Sequence, residues 1–86
     1  MNYTEDTVHE QLKEIVGKLF EVEATDVVAE ARLYEDLDID SIDAVNMIIE
    51  LRRITGKQIP AELYRTARTV ADVVRITVDV LNADTA

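Results

Sequence analysis

The chain has 86 residues, a length typical of one small domain, and we treat residues 1–86 as a single domain. It contains no cysteine, which excludes disulfides and thiolate metal sites and means that any thiol chemistry must come from a cofactor. The formal net charge of -9 disfavours nucleic acid or an anionic membrane as partners and favours basic protein surfaces.

The first helix is predicted after a short acidic N-terminus. Residues 1–6 lack the basic and apolar regions of a signal peptide, and no apolar run is long enough to span a membrane, so we expect a cytoplasmic protein. From Thr7 to Phe20 the apolar residues fall within an arc of about 100° on a helical wheel, with Thr4 or Asp6 as the N-cap. The residues on this arc are Val8, Leu12, Ile15, Val16 and Leu19.

Residues 21–40 show no sustained periodicity and predict an unusually long loop. Loops of about twenty residues are uncommon in compact domains unless they have a function. Twelve of the 18 carboxylates in the chain, but only three of the 9 basic residues, precede Ser41. A short turn of helix could form at Leu33–Leu37. Six apolar residues could hold the loop against the core, namely Val22, Val27, Val28, Leu33, Tyr34 and Leu37.

The second helix is predicted from Ser41 to Thr55, with Asp40 as the N-cap, Asp43 as its capping-box partner and Gly56 as the C-terminal stop. Two apolar stripes run along this helix. The first suits a core and consists of Ala44, Met47, Ile48, Leu51 and Ile54. The second is either covered by the long loop or exposed for a partner, and it consists of Ile42, Val45 and Ile49.

The C-terminal part predicts a short helix followed by a long one. Pro60 could occupy the first position of a short helix at Ala61–Tyr64. Thr69 is a suitable N-cap for the last helix, with Asp72 three positions later. One side of this helix carries Val70, Val73, Val74, Thr77, Val80 and Leu81. Three principal helices plus one short helix, with the long loop between the first and second, predict an all-α fold, an antiparallel four-helix bundle.

The sequence offers no catalytic or metal-binding constellation. His9 is the only histidine and is expected to be solvated on the polar side of the first helix, so nothing in the sequence activates Ser41 as a nucleophile. The alternating aspartates before Ser41 resemble the start of a calcium loop, but Ser41 and Met47 stand where an EF-hand needs Gly and Glu. Ser41 is then either a modified serine that holds a phosphate at a helix N-terminus or an ordinary serine at a helix start.

The residues around Ser41 resemble a known family. Residues 31–45 read Ala-Arg-Leu-Tyr-Glu-Asp-Leu-Asp-Ile-Asp-Ser-Ile-Asp-Ala-Val, which is similar to the signature of acyl carrier proteins, and Ile59-Pro60 and residues 69–73 match in order and spacing. The resemblance implies that Ser41 receives a 4′-phosphopantetheine arm from coenzyme A through a phosphodiester bond, added by a phosphopantetheinyl transferase. The terminal thiol of the arm would carry acyl groups as thioesters, so Ser41 is an acceptor and the protein is not an enzyme.

The resemblance also implies that partners dock on the second helix and the loop before it. The corresponding residues are Asp36, Asp38, Asp40, Ile42, Asp43, Val45, Asn46, Ile49, Glu50, Arg52 and Arg53. The implied partners are the transferase, ketosynthases, ketoreductases, dehydratases and acyl-loading enzymes, and we expect a monomer in isolation. This chain departs from the family pattern at three places. It has Asp38-Ile39 where the family often has Gly, Ile42 replaces the usual Leu, and later turns that are commonly acidic carry Asn46, Arg52 and Arg53.

The run from Asp36 to Val45, with residues 51–57 after it, looks like carriers dedicated to aryl polyene or related polyketide-like pathways. We therefore expect a freestanding carrier in a discrete-enzyme pathway of fatty-acid-like or polyketide-like type. A deformable core could shield the acyl chain, with a lining of Val45, Met47, Ile48, Val73, Val74 and Leu81. Two alternatives are a peptidyl or aminoacyl carrier, which would share the fold and the arm, and a helical adaptor that binds partners without modification.

Overall fold

The computed structural model describes residues 3–83, which form helices joined by connections of different lengths. The three α-helices are α1 (Glu5–Phe20), α2 (Ser41–Thr55) and α3 (Val70–Ala83), and two short 3-10 helices are Ala24–Asp26 and Ala61–Tyr64. Residues 3–83 contain no strand, and their β-type pairing is an isolated bridge between Arg32 and Thr69. The all-helical class is confirmed. The fourth helix of the expected bundle is only a 3-10 turn.

Helix α1 begins at one of the two predicted caps. The Thr4 side chain accepts a hydrogen bond from the Thr7 backbone N–H at 3.1 Å, so Thr4, and not Asp6, is the N-cap. The helix ends at Glu21, which has a left-handed φ of 58° and donates its N–H to the Gly17 carbonyl at 3.1 Å. Leu19 was predicted on the core face but is exposed. The amphipathic pattern shows which face of α1 is apolar, but it does not show how far along α1 the neighbouring elements extend.

The core lies where α1 packs against both α2 and α3. Every α-helix contributes side chains to it, and so do the connections between the helices. The largest fully buried side chains are Leu12, Ile15, Met47, Ile48, Leu51, Ile59, Leu81, Val16, Val27, Val70, Val73 and Thr77. None of the helices in residues 3–83 combines the length and apolar character that a bilayer-spanning helix needs.

The long loop of residues 21–40 is held against the core along its length. Five of its apolar side chains (Val27, Ala31, Leu33, Leu37 and Ile39) are buried, and the Val27 carbonyl lies 2.6 Å from His9 Nε2. His9 is therefore half-buried and hydrogen-bonded, not solvated as predicted. The loop is thus held in place by buried side chains and individual hydrogen bonds, and not by regular secondary structure.

Three details of the predicted loop differ from the structure. Val28 and Tyr34, which were expected to hold the loop on the core, are exposed. The segment Leu33–Leu37 is a turn and not a regular helix: the N–H groups of Asp36 and Leu37 share the Arg32 carbonyl, at 2.9 and 3.2 Å, and Asp38 then has a left-handed φ of 57°. Sequence pattern identifies apolar residues in a loop but does not decide which of them face the core.

Helix α3 starts at a reciprocal cap formed by Thr69 and Asp72. The Asp72 N–H donates to Thr69 Oγ1 at 3.2 Å, and Asp72 Oδ2 accepts the backbone N–H groups of Arg68 at 2.9 Å and Thr69 at 3.2 Å. These backbone hydrogen bonds favour the ionised carboxylate and lower the pKa of Asp72 from its ordinary value. The predicted Thr69 cap is confirmed, and its hydrogen bonds favour the ionised form of Asp72.

Replacing Asp72 by asparagine tests this cap. The pKa of Asp72 is lowered in the folded state, so its contribution to stability is present above the ordinary value of 3.8 and is lost as the pH falls through the lowered pKa. We expect Asp72→Asn to reduce the free energy of unfolding by about 0.5 to 1 kcal/mol at pH 7. Urea unfolding of both proteins at pH 7 and below pH 3 measures the difference, which should shrink at acid pH. A difference independent of pH would contradict a role for the charge.

Candidate functional site

The N-terminus of α2 is fixed by a capping box. The Asp43 N–H donates to Asp40 Oδ1 at 2.9 Å, and the Asp40 N–H donates to Asp43 Oδ2 at 3.4 Å. Asp40 has extended backbone geometry, so α2 begins at the next residue, Ser41. The two aspartates that flank Ser41 in the sequence therefore determine where its backbone enters the helix.

Ser41 is exposed at the first position of α2. Within residues 3–83 its hydroxyl makes no hydrogen bond to another protein group, and the ring of His9 is engaged by the Val27 carbonyl. Among these described residues no base or positioning group is arranged around Ser41 in the way that nucleophilic catalysis requires. Its free hydroxyl beside the positive end of a helix can instead hold a covalent anionic group.

The aspartates before α2 shape the loop. Asp36 Oδ2 accepts the Arg32 backbone N–H at 2.8 Å and lies 3.6 Å from Arg32 Nε. Asp38 has a left-handed φ of 57°, the conformation that glycine adopts at least cost, and its side chain is exposed. Among the described residues no group of 3 or more potential ligands could hold a metal ion.

One apolar stripe of α2 faces outward. Met47, Ile48 and Leu51 of the predicted core stripe are buried and Ala44 is half-buried, whereas Ile54 is exposed. The other stripe is uncovered, with Ile42, Val45 and Ile49 exposed to 72%, 45% and 50%. The long loop does not cover it. We call these three residues the exposed stripe.

The later turns of α2 contain charges that are already partnered. Arg53 donates to Glu50 Oε1 through Nε at 2.8 Å and also through Nη2. This hydrogen bond lowers the pKa of Glu50 and raises the pKa of Arg53. Arg52 Nε donates to the Ile59 carbonyl at 2.8 Å and so anchors the connection after α2. Asn46 is exposed on the same helix. Arg53 therefore offsets the charge of Glu50, while Arg52 has a structural contact.

A cavity of about 480 Å³ lies beside Ser41, between α2, the loop before it and the second 3-10 helix. Most of its walls are apolar, and the helices contribute Ala44, Val45, Met47, Ile48 and Val73. The remaining lining residues are Leu33, Tyr34, Glu35, Ile39, Asp40, Ser41, Ala61, Glu62, Tyr64, Arg65, Ala67 and Arg68. Four members of the predicted lining are thus found here. Val74 and Leu81 do not reach this cavity, because they are buried elsewhere in the core.

Tyr64 introduces a polar group beside this cavity. Thr77 Oγ1 donates to the Val73 carbonyl at 2.7 Å, and Thr77 Oγ1 lies 2.8 Å from the Tyr64 hydroxyl. Because the one hydroxyl hydrogen of Thr77 is used, Tyr64 donates to Thr77. Burial raises the pKa of Tyr64, so its hydroxyl stays protonated.

The sequence predicted a short helix at Ala61–Tyr64, where the structure has a 3-10 helix, but not that residues 61–68 form a wall of this cavity. This part of the chain has little apolar periodicity, and only Pro60 indicated a change of structure. The wall becomes recognisable once the Leu33 N–H is seen to reach the Arg68 carbonyl at 2.9 Å, because this contact places Arg65 and Arg68 on the same cavity as Ser41.

Comparisons with known proteins agree with this arrangement. A family model described as the phosphopantetheine attachment site matches residues 10–77, a range that includes Ser41. The chain is 41% identical over 71 residues to "Acyl carrier protein 2" of Ralstonia nicotianae, covering 83% of this chain and 88% of that protein. It is 40% identical over 73 residues to the acyl carrier protein of Thermosynechococcus vestitus, covering 85% and 88%. For the acyl carrier protein of Lactobacillus acidophilus the identity is 31% over 71 residues, covering 83% and 89%.

The backbone at Asp38 provides a test of the loop geometry. We expect Asp38→Gly to change the free energy of unfolding by less than about 0.5 kcal/mol, because glycine adopts a positive φ freely and the lost side chain is exposed. Asp38→Val should cost about 1 to 2 kcal/mol, since a β-branched residue is strained at positive φ. Glu23→Val is the matched control, because Glu23 is exposed with a φ of -70°. Equal effects of the two valine substitutions in urea unfolding would show that backbone strain is not involved.

Proposed function

Because the chain belongs to the acyl carrier protein family, whose members carry covalently attached 4′-phosphopantetheine, we propose that Ser41 is the attachment residue. The chain then acts as a carrier that presents acyl groups to separate biosynthetic enzymes and performs no bond chemistry itself. The observation that carries this proposal is an exposed hydroxyl with no partner among the described residues, at the first position of a helix and at the edge of a cavity.

The residues around Ser41 fit the arm. The hydroxyl is accessible to a transferase, and the N–H groups at the start of α2 favour a phosphate attached there. When bound, the arm supplies a terminal thiol on which an acyl group is held as a thioester, a group that a chain without cysteine cannot provide. The capping box keeps Ser41 at the end of α2, so the attached group remains at the surface and not within the core.

The cavity beside Ser41 is suited to shielding an apolar acyl chain from water. Its volume of about 480 Å³ lies within the range of about 300 to 1,000 Å³ typical of small-molecule sites. Met47, Ile48 and Val73 form part of its apolar wall, and the methyl and methylene groups of an acyl chain would replace water there. Covalent attachment at the edge keeps the acyl group at high local concentration near this wall.

We place partner docking on α2 and the loop before it. The proposed surface joins the exposed stripe to carboxylates near Ser41 and to polar side chains further along α2. Its residues are Asp36, Asp38, Asp40, Ile42, Asp43, Val45, Asn46, Ile49, Glu50, Arg52 and Arg53. Because Arg53 pairs with Glu50, the negative charge of this surface is concentrated near Ser41. A complementary partner has basic residues around the opening of its active site, where the arm enters, and an apolar surface next to that opening.

The proposed partners are a phosphopantetheinyl transferase followed by ketosynthases, ketoreductases, dehydratases and acyl-loading enzymes. We propose a pathway of discrete enzymes of the aryl polyene or a related polyketide-like type. This assignment is supported by the run from Asp36 to Val45 and by the arginines in the last turns of α2, which differ from an all-acidic docking helix. We propose that the whole chain is one acyl-carrier domain that acts as a monomer.

Intact mass spectrometry tests the attachment residue. Incubation with coenzyme A and a phosphopantetheinyl transferase of broad specificity should add one phosphopantetheinyl group to the wild-type protein. Ser41→Ala should gain no mass, while Ser41→Ala and the wild type should show the same helical circular dichroism because Ser41 is exposed. No mass gain by the wild type with several such transferases would refute the proposal, and a gain by Ser41→Ala would assign the arm to another residue.

The exposed stripe can be tested with a matched pair of substitutions. Ile49→Asp places a charge on the stripe, whereas Ile54→Asp places it on an exposed isoleucine of the same helix outside the stripe. We expect Ile49→Asp to weaken binding to the transferase or to a cognate ketosynthase about tenfold or more, because it removes apolar contact area at the centre of the surface. Titration calorimetry should show little change for Ile54→Asp. Equal losses for both variants would exclude the stripe as the docking site.

A further inference from the structure

The basic side chains of this acidic protein are mostly engaged by acceptors. Glu10 pairs with Lys13, Glu35 with Arg32, Glu50 with Arg53 and Asp72 with Arg75, while Arg52 donates to a backbone carbonyl. In the part of the chain that the structure describes, the side chains of Arg65 and Arg68 make no ion pair or hydrogen bond. Both are exposed. These two guanidinium groups are therefore available for an external anion.

Arg65 and Arg68 line the same cavity as Ser41. A roughly spherical space of about 480 Å³ would measure on the order of 10 Å across, close to the Debye length of about 8 Å at physiological ionic strength. Charges on its walls therefore influence a group attached to Ser41. The carboxylates on this lining are Glu35, which Arg32 pairs with, Asp40, which caps α2, and Glu62. The wall that contains the second 3-10 helix thus has two guanidinium groups and one carboxylate.

The anion that belongs at this position is the phosphodiester of the arm. Asp40 and Asp43 flank Ser41, so their negative charges oppose another anion on its hydroxyl. A guanidinium group matches phosphate geometry and can donate two parallel hydrogen bonds to it. We propose that Arg65 and Arg68 bind the phosphodiester on Ser41 and thereby direct the arm across the cavity. This inference rests on the proposed attachment at Ser41 and adds two positioning residues to that site.

Stability of the apo and holo forms tests the interaction, because it detects whether the arm and the arginines are energetically coupled. The variants are Arg65→Gln, Arg68→Gln and the double variant. Lys18→Gln is the control, since Lys18 is an exposed basic residue of α1 that does not line the cavity. The melting temperature of each protein is measured before and after the unacylated arm is attached. This arm contains the phosphodiester but no acyl group, so an acyl carboxylate cannot be the anion that the arginines bind.

At low ionic strength we expect the double variant to lower the difference between the holo and apo melting temperatures by about 2 to 4 °C relative to wild type. Each single variant should give part of this shift, and Lys18→Gln should give none. In 1 M NaCl, where the Debye length is about 3 Å, the shift should largely disappear. The phosphorus-31 resonance of the phosphodiester should also move in the double variant and not in Lys18→Gln.

These measurements separate the inference from the proposed function. If the wild type never gains the arm, the attachment at Ser41 is wrong. If the arm is attached but the holo and apo forms of the double variant lose stability equally, with an unchanged phosphorus resonance, the attachment stands and the arginine contact is overturned. A third outcome is that the arginines affect the difference in stability between holo and apo forms only after the arm is loaded with an acyl group that carries a carboxylate. The arginines would then bind that carboxylate and not the phosphodiester, and the inference would also be overturned.

Discussion

The loop before α2 is tied to the start of α3 by three backbone hydrogen bonds, and the position of the functional site depends on them. The Leu33 N–H reaches the Arg68 carbonyl, the Val70 N–H reaches the Ala31 carbonyl and the Ala71 N–H reaches the Ala29 carbonyl, each at 2.9 Å. Because the same loop leads into the Asp40 cap, these contacts place the N-terminus of α2 opposite residues 61–68. Several residues of the 61–68 segment line the cavity beside Ser41.

The negative charge is greatest at the N-terminus of α2 and decreases toward its C-terminus. Carboxylates are concentrated around Ser41, and further along the helix Arg53 offsets Glu50 while the apolar stripe lies uncovered. An acidic region attracts a basic partner over distance, whereas apolar contact provides most of the affinity once the partner is close. The proposed carrier function needs both properties, since an acyl carrier must find several enzymes and release each of them.

Local features of the structure were predictable where neighbouring residues decide them. The Thr4, Asp40 and Thr69 caps follow from side chains that hydrogen-bond to backbone groups three positions away, and Gly56 ends α2 with a φ of 68°. The burial of individual apolar residues was less predictable. Leu19, Tyr34 and other apolar residues expected against the core are exposed, because burial depends on where distant segments pass and not on local periodicity.

The sequence by itself determined the helices, their caps, a chain that must import its thiol, and a serine at the first position of α2, since each depends on residue type or on spacings of a few residues. Only the tertiary structure decided which stripe of α2 faces outward, where the cavity lies and that Arg65 and Arg68 share it with Ser41. These features are formed by contacts between segments about 20 to 40 residues apart, and loop closure over such distances leaves no periodic signal in the sequence.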